Sequence, residues 1–127
     1  MLSAKELFKG ERFTIYEIVR EGKSEIKDFL QSLKNERREL HKKLVKLLEI
    51  IAFQGPPKNE EKFRLEEDGI YVIKSFQARI FCFFDAGKMI MLTHGVIKKG
   101  DRARPEDLKK AKDIRNAWMD QKRKRKP

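Results

Sequence analysis

The sequence has a single cysteine, Cys82, among 127 residues, which excludes an intramolecular disulfide. A chain without disulfides fits a reducing compartment, and the apolar neighbours of Cys82 predict a small buried side chain rather than a reactive thiol. No run of about 18 apolar residues occurs, and the first residues lack the apolar stretch of a signal peptide. We therefore expect a cytoplasmic protein that does not bind a membrane.

Glycine and proline are also scarce, with seven and four copies, which excludes a chain dominated by linkers. The length fits one compact domain, and we predict this domain at residues 1–121, followed by a basic tail at 122–127. The two histidines and one cysteine lack the spacing of metal ligands. Neither a metal nor another cofactor is expected.

Positive charge is abundant: 40% of the residues are charged, the net charge is +11 and the isoelectric point is about 9.8. Such an excess indicates an anionic partner, most often a nucleic acid, although solubility alone is an alternative explanation. Five consecutive basic residues at 122–126 supply part of this charge. The residues expected to contact an RNA backbone are Arg102, Lys122, Arg123, Lys124 and Arg125.

The first half of the chain predicts one strand and two helices. Residues 1–10 have little pattern and suggest a short leader with helical character, whereas residues 13–19 alternate and are rich in β-branched and aromatic side chains, as in a strand. Ser24 is a suitable N-cap for a first helix, and Asn35 for a second. Apolar residues at helical spacing continue to Ile51, and Gly55 with two prolines ends the second helix.

The second half predicts three antiparallel strands and a last helix. The strands are expected at 71–76, 79–84 and 88–94, with a tight turn at 85–87 between the last two. The second and third are apolar on both faces, which is typical of strands covered on each side. Pro105 begins a helix that dissolves into the basic tail. The predicted fold class is therefore α+β: an N-terminal strand, a helical hairpin, an antiparallel sheet and a C-terminal helix.

A series of short motifs follows a fixed order between residues 11 and 118. They are Lys-Ser-Glu-Ile-Lys-Asp-Phe-Leu at 23–30, the glycine at 55, Lys-Phe-Arg-Leu at 62–65, Arg-Ile-Phe-Cys-Phe-Phe at 79–84, a lysine pair at 98–99 and the proline at 105. The series resembles the HigB-like, phage-derived branch of the RelE/ParE toxin superfamily. Lys74 and Val96 stand where that branch has an arginine and an aromatic residue, and no tyrosine follows Tyr71.

The resemblance implies the toxin of a type II toxin–antitoxin system. Toxins of this branch are ribosome-dependent endoribonucleases that cut mRNA without a metal, so the implied partners are the ribosome, mRNA and a cognate antitoxin of the helix-turn-helix type. The alternative is a toxin that does not cut RNA: a ParE-like gyrase poison, or a degenerate toxin that binds nucleic acid without cleaving it.

Cleavage by a ribose 2′-hydroxyl needs a proton acceptor, a charge that stabilises the phosphorane and a proton donor. We predict that Arg79 stabilises the transition state, that Lys74 acts as the base, and that Lys98 or Lys99 neutralises the phosphate or protonates the leaving group. His94 is a further acid/base candidate because it titrates near neutral pH.

Each of these candidates also has an ordinary structural explanation. The cations are equally able to be solvated charges at strand ends, and His94 a packed structural histidine. Phe76 and Phe81 are able to stack on an RNA base, although core packing is the more common role of an aromatic residue in a strand.

Overall fold

The computed structural model describes residues 1–98, 100 and 102–125, and it confirms the α+β class. Within these residues, six strands form one sheet and three helices pack against it. In chain order the elements are β1 (Leu2–Lys9), β2 (Thr14–Arg20), α1 (Glu25–Glu36), α2 (Arg38–Gln54), β3 (Phe63–Glu67), β4 (Ile70–Ser75), β5 (Ala78–Asp85), β6 (Met89–Ile97) and α3 (Pro105–Arg125).

The sheet has the strand order β1-β2-β6-β5-β4-β3. Strands β4 to β6 form the antiparallel meander that the sequence predicts, and β3 extends it along β4. Strand β1 pairs with β2 in the same antiparallel manner. Strand β2 joins β6 in parallel, with Ile15 opposite Ile90, so the sheet as a whole is mixed. Such a parallel pair needs a long crossover, which here contains α1, α2 and the strands β3 to β5.

Two edge strands correct the sequence interpretation. Residues 1–10 are not a helical leader, because residues 2–9 form β1 along the free edge of β2. Residues 63–67, which overlap the Lys-Phe-Arg-Leu motif at 62–65 and were not predicted to be a strand, form β3 along β4. Edge strands are exposed along one side, so their own patterns are weak and their pairing partner determines their structure.

The helical hairpin is confirmed, with its break two residues later than expected. Ser24 caps α1, and its Oγ accepts a hydrogen bond of 3.0 Å from the backbone N–H of Lys27. The break lies at Arg37 instead of Asn35, whose side-chain oxygen accepts a hydrogen bond from Gln31 inside α1. Gly55, at φ 90°, ends α2 as predicted.

Helix α3 begins at Pro105 as predicted and continues to Arg125. It does not dissolve at the basic tail, because four residues of that tail, 122–125, are helical. Lys122 forms a salt bridge with Asp85 at the end of β5. Trp118 donates a hydrogen bond to the same carboxylate, so the last turns of the helix are fixed to the sheet.

Each face of the sheet carries its own apolar core, and β5 and β6 contribute to both. Ile80 and Cys82 point toward α1 and α2, whereas Phe81 and Phe83 point toward α3. We call these two sides the α1/α2 face and the α3 face. The prediction that β5 and β6 are covered on both sides is confirmed, and Cys82 is fully buried.

Candidate functional site

A groove of about 680 Å³ lies between α2, the loop that follows it and the turn between β4 and β5. We call it the basic groove, because five of the described residues that line it are cationic and one is acidic. Its lining consists of Lys43, Lys46, Leu47, Ile50, Asn59, Glu61, Lys62, Lys74, Ser75, Phe76 and Arg79. A concave surface with this charge suits a phosphate-rich ligand.

The groove contains two of the cations that the sequence singles out. Lys74 at the end of β4 and Arg79 at the start of β5 are direct cross-strand partners. Both are buried, with 5% and 6% of their surface exposed. Their alternation with the neighbouring core residues places both side chains on the α3 face. The structure therefore brings this predicted pair together on the α3 face, at the end of the sheet where both residues also border the basic groove.

The guanidinium of Arg79 is bound to backbone carbonyls. Nη1 donates to the carbonyl of Phe76 and, over 3.1 Å, to that of Ala78, while Nη2 donates over 3.1 Å to that of Gly100. These hydrogen bonds connect the β4–β5 turn with the segment that follows β6. The charge of Arg79 is consequently held in a fixed position beside the groove.

Phe76 forms the exposed tip of the turn between β4 and β5. Ser75 pairs with Ala78, so Phe76 and Gln77 make up a two-residue hairpin loop. The Phe76 side chain is 68% exposed and its backbone has a φ of 54°. The ammonium nitrogen of Lys43 on α2 lies 4.5 Å from the centre of the Phe76 ring, a cation–π contact. Phe81, the other aromatic candidate, is a core residue on the α3 face.

Lys98 lies close to Arg79, whereas Lys99 is outside the described residues. The backbone N–H of Lys98 donates to the carbonyl of Gln77 over 2.8 Å, which fixes Lys98 beside the β4–β5 turn. Lys98, Arg79 and Glu66 line one small crevice on the α3 face. Glu66 is a carboxylate on the edge strand β3, and it was not predicted as a site residue because that strand was not predicted.

His94 is buried under α3, with 2% of its surface exposed, and it does not line the basic groove. Its ring stacks on Phe81 with the centres 4.8 Å apart. Nδ1 lies 3.0 Å from the hydroxyl of Thr93, and Nε2 lies 3.3 Å from a carboxylate oxygen of Asp107. Burial and the charge of Lys110 lower the pKa of His94, although Asp107 opposes that shift. Both ring nitrogens thus contact protein groups.

Residues 28–116 match the family described as phage derived protein Gp49-like (DUF891). The chain belongs to this family. It is a family of toxin-antitoxin toxins of the RelE/HigB type, so an antitoxin partner is implied. No curated protein matches the sequence.

The C-terminal basic residues of this Gp49-like toxin lie far from the basic groove. Asp85, which contacts Lys122, is six residues beyond Arg79 on β5. At about 3.3 Å per residue this separation is roughly 20 Å. Arg123 pairs with Asp120. The remaining predicted RNA contacts, Arg102, Lys124 and Arg125, are exposed.

Several residues of the groove in this Gp49-like toxin were not predicted from sequence. Lys43 and Lys46 were absent from the prediction because lysines on the polar side of a helix are ordinarily solvated. Lys62 was assigned to a short basic motif without a role. Within the described residues, these three lysines form no salt bridge, which leaves their charges available to a ligand.

The described part of the chain contains neither a cluster of metal ligands nor a membrane-spanning helix. No group of three or more His, Cys, Asp or Glu side chains in it is arranged to hold a metal ion. None of its helices combines the length and apolarity needed to span a membrane.

Proposed function

We propose that this Gp49-like toxin is an mRNA endoribonuclease of the HigB-like branch, that it acts on the translating ribosome, and that a helix-turn-helix antitoxin restrains it. The observation that carries the proposal is the cross-strand pair of Lys74 and Arg79 at the edge of the basic groove. A toxin family, a strongly basic chain and a cationic groove together favour RNA over a small-molecule substrate.

In the proposed reaction, the ribose 2′-oxygen attacks the adjacent phosphorus. A 2′,3′-cyclic phosphate forms, the bond from phosphorus to the 5′-oxygen breaks, and the 5′-oxygen takes up a proton as the 2′-hydroxyl loses one. Lys74 in its neutral form is the proposed proton acceptor, and Lys98 or Lys99 the donor. Arg79 supplies a preorganised positive charge, which stabilises the developing phosphorane without reorganisation during the reaction.

Substrate binding is assigned to the exposed lysines of the groove. Lys43, Lys46 and Lys62 line the groove and are proposed to contact the phosphates on either side of the cleavage position. The basic residues at 122–125, at the other end of the sheet, are proposed to contact ribosomal RNA together with Arg102. His94, with both ring nitrogens in contact with protein groups, is proposed to position α3 rather than to transfer a proton.

The test is to induce the chain in a bacterium and map the 5′ ends of translated messages. Growth arrest should coincide with new 5′ ends inside coding regions, and Lys74→Gln and Arg79→Ala should each reduce the cleavage rate by about 100-fold or more. Lys5→Gln is the matched control, because Lys5 is an exposed lysine on β1 at the opposite edge of the sheet. Thermal unfolding of each variant separates loss of chemistry from loss of fold.

Burial of the candidate residues favours a second function, binding without cleavage. Lys74 and Arg79 are at least 94% buried, so a substrate reaches them only at the edge of the groove, and His94 is buried away from the groove. A ParE-like gyrase poison or a degenerate toxin is compatible with such burial. The same experiment distinguishes the two functions: growth arrest with intact messages and damaged DNA would reject the ribonuclease and support the gyrase poison.

A further inference from the structure

We propose that Phe76 is a base-stacking residue and that, together with Lys43, it makes the basic groove a binding site for single-stranded RNA. This inference rests on the proposed function and names the residue that would hold the substrate's bases. Phe76 is unusually exposed for a large apolar residue, with 68% of its surface open to solvent. A large apolar side chain at the tip of a hairpin buries little of its surface and contributes little to the core.

The backbone at Phe76 is also in an unfavourable conformation. Its φ of 54° lies in the left-handed region, where a bulky residue is a clear outlier and where hairpin loops ordinarily use asparagine or glycine. The guanidinium of Arg79 donates to the Phe76 carbonyl and thereby helps to hold this conformation. A strained residue that gains no burial is typical of a binding position, where the ring is presented in a fixed orientation.

The position of the ring favours single-stranded nucleic acid as its ligand. Phe76 and Lys43 line both the basic groove and a second depression of about 430 Å³, so they form the wall between the two. Lys46 and Lys62 line the groove on one side of this wall together with Glu61, and Arg37 lines the depression on the other side together with Glu39. A chain of phosphates with unpaired bases matches this arrangement, because its phosphates contact the cations while a base stacks on the ring.

Double-stranded RNA fits the same surface poorly. In a duplex the bases are paired and stacked on each other, so none is available to the Phe76 ring. The Lys43 ammonium already lies against that ring at 4.5 Å, which shows that the ring accepts a partner on its π-face. An incoming base would either use the opposite face or displace Lys43 toward a phosphate.

The test measures binding of the full-length chain to a fluorescein-labelled, eight-nucleotide single-stranded RNA by fluorescence anisotropy. Phe76→Asn should weaken binding about tenfold, which corresponds to ~1.4 kcal/mol and lies within the range for one base–aromatic stack. Its thermal midpoint should be unchanged or higher, since asparagine tolerates positive φ. Phe53→Asn is the matched control, because Phe53 is a 51% exposed phenylalanine on α2 that does not line the groove.

The salt dependence separates stacking from charge. Phe76→Asn should leave the slope of log affinity against log salt unchanged, whereas Lys43→Gln should reduce its magnitude by about 0.7, the value for one phosphate contact on a single strand. Lys5→Gln, on the distant strand β1, should change neither the affinity nor the slope.

Three results would overturn the inference. The first is an equal RNA affinity of Phe76→Asn and the native chain. The second is weak RNA binding by Phe76→Trp, because this variant keeps an aromatic ring. The third is a Phe76→Asn variant that binds RNA normally but binds the antitoxin more weakly, which would assign this surface to the antitoxin. Because the assay uses free RNA without ribosomes, it is independent of the cleavage test. Whatever RNA affinity the Phe76 variants show, the ribonuclease proposal is decided separately, by mapping the 5′ ends of translated messages.

Discussion

Replacement of His94 by glutamine should remove most of the pH dependence of folding stability between pH 5 and pH 6.5. His94 stacks on Phe81 and contacts Asp107 and Thr93, with only 2% of its surface exposed. The nearby charges are those of Lys110, Asp107 and Glu25; burial is the largest effect, and the pKa of His94 lies below its ordinary value of 6.5.

The direction of the effect follows from proton linkage. Below pH 6.5 the unfolded chain takes up a proton on His94 that the folded chain resists, so acid favours the unfolded state. Stability is therefore fully present above pH 6.5 and declines as the pH falls toward the lowered pKa of the folded state. One such proton changes the free energy of unfolding by at most about 1.4 kcal/mol per pH unit. The free energy of unfolding at pH 5.5 should therefore be lower than at pH 6.5 by at most ~1.4 kcal/mol.

The assay is urea unfolding at pH 7.5 and pH 5.5. At pH 7.5, His94→Gln should itself cost about 1–3 kcal/mol, because Asp107 loses a buried hydrogen-bond partner. The difference between the two pH values should nearly disappear in this variant. His41→Gln is the matched control: His41 is the other histidine of the chain, lies on α2 and is much less buried. If His94→Gln keeps the native pH dependence and His41→Gln loses it, the reasoning is refuted.

Two further predictions concern the anchor of α3 and the cysteine. Asp85→Asn should lower the free energy of unfolding, measured in urea, by about 1–3 kcal/mol, because both Trp118 and Lys122 bind that carboxylate at 2.8 Å. The surface variant Asp113→Asn should leave the free energy of unfolding nearly unchanged. If the two variants were destabilised equally, Asp85 would not be the residue that fixes α3 to the sheet. Cys82 should resist iodoacetamide in the folded protein and react only after unfolding, because its thiol is buried and burial raises the pKa of that thiol. Labelling of Cys82 without denaturant, detected by mass spectrometry, would contradict this prediction and show that the core opens.

The central part of the fold was predictable because its residues are buried on both sides. Strands β5 and β6 contain continuous apolar runs, at 80–84 and 89–92, and such runs near turn residues indicate a covered strand. Strands β1 and β3 were not predicted, since each lies at an edge and has an incomplete apolar pattern. The parallel pairing of β2 with β6 was equally inaccessible, because register between distant segments depends on the whole sheet.

The candidate site, too, was predictable from sequence only where its residues are close to each other along the chain. Lys74 and Arg79 flank one hairpin, so their proximity follows from neighbouring strands in the sequence. The lysines of α2 complete the groove only because the helix packs over the sheet, which the sequence does not disclose. Phe76 was expected to be a core aromatic because it ends the strand predicted at 71–76. Strand β4 ends one residue earlier, at Ser75, so Phe76 lies in the hairpin turn and is exposed.

The hydrogen bonds of Arg79 determine which variants are informative about function. Arg79→Ala removes donors from three backbone carbonyls, including that of Phe76, so it changes the turn and the candidate phosphate site together. Loss of toxicity in that variant alone would be compatible with catalysis, RNA binding or a misplaced hairpin. Lys74→Gln changes a charge without removing the carbonyl contacts of Arg79, and Phe76→Asn removes the ring while favouring the existing turn conformation. Unchanged RNA binding by Lys74→Gln together with weakened RNA binding by Phe76→Asn would therefore separate the chemistry of the groove from its binding of the substrate.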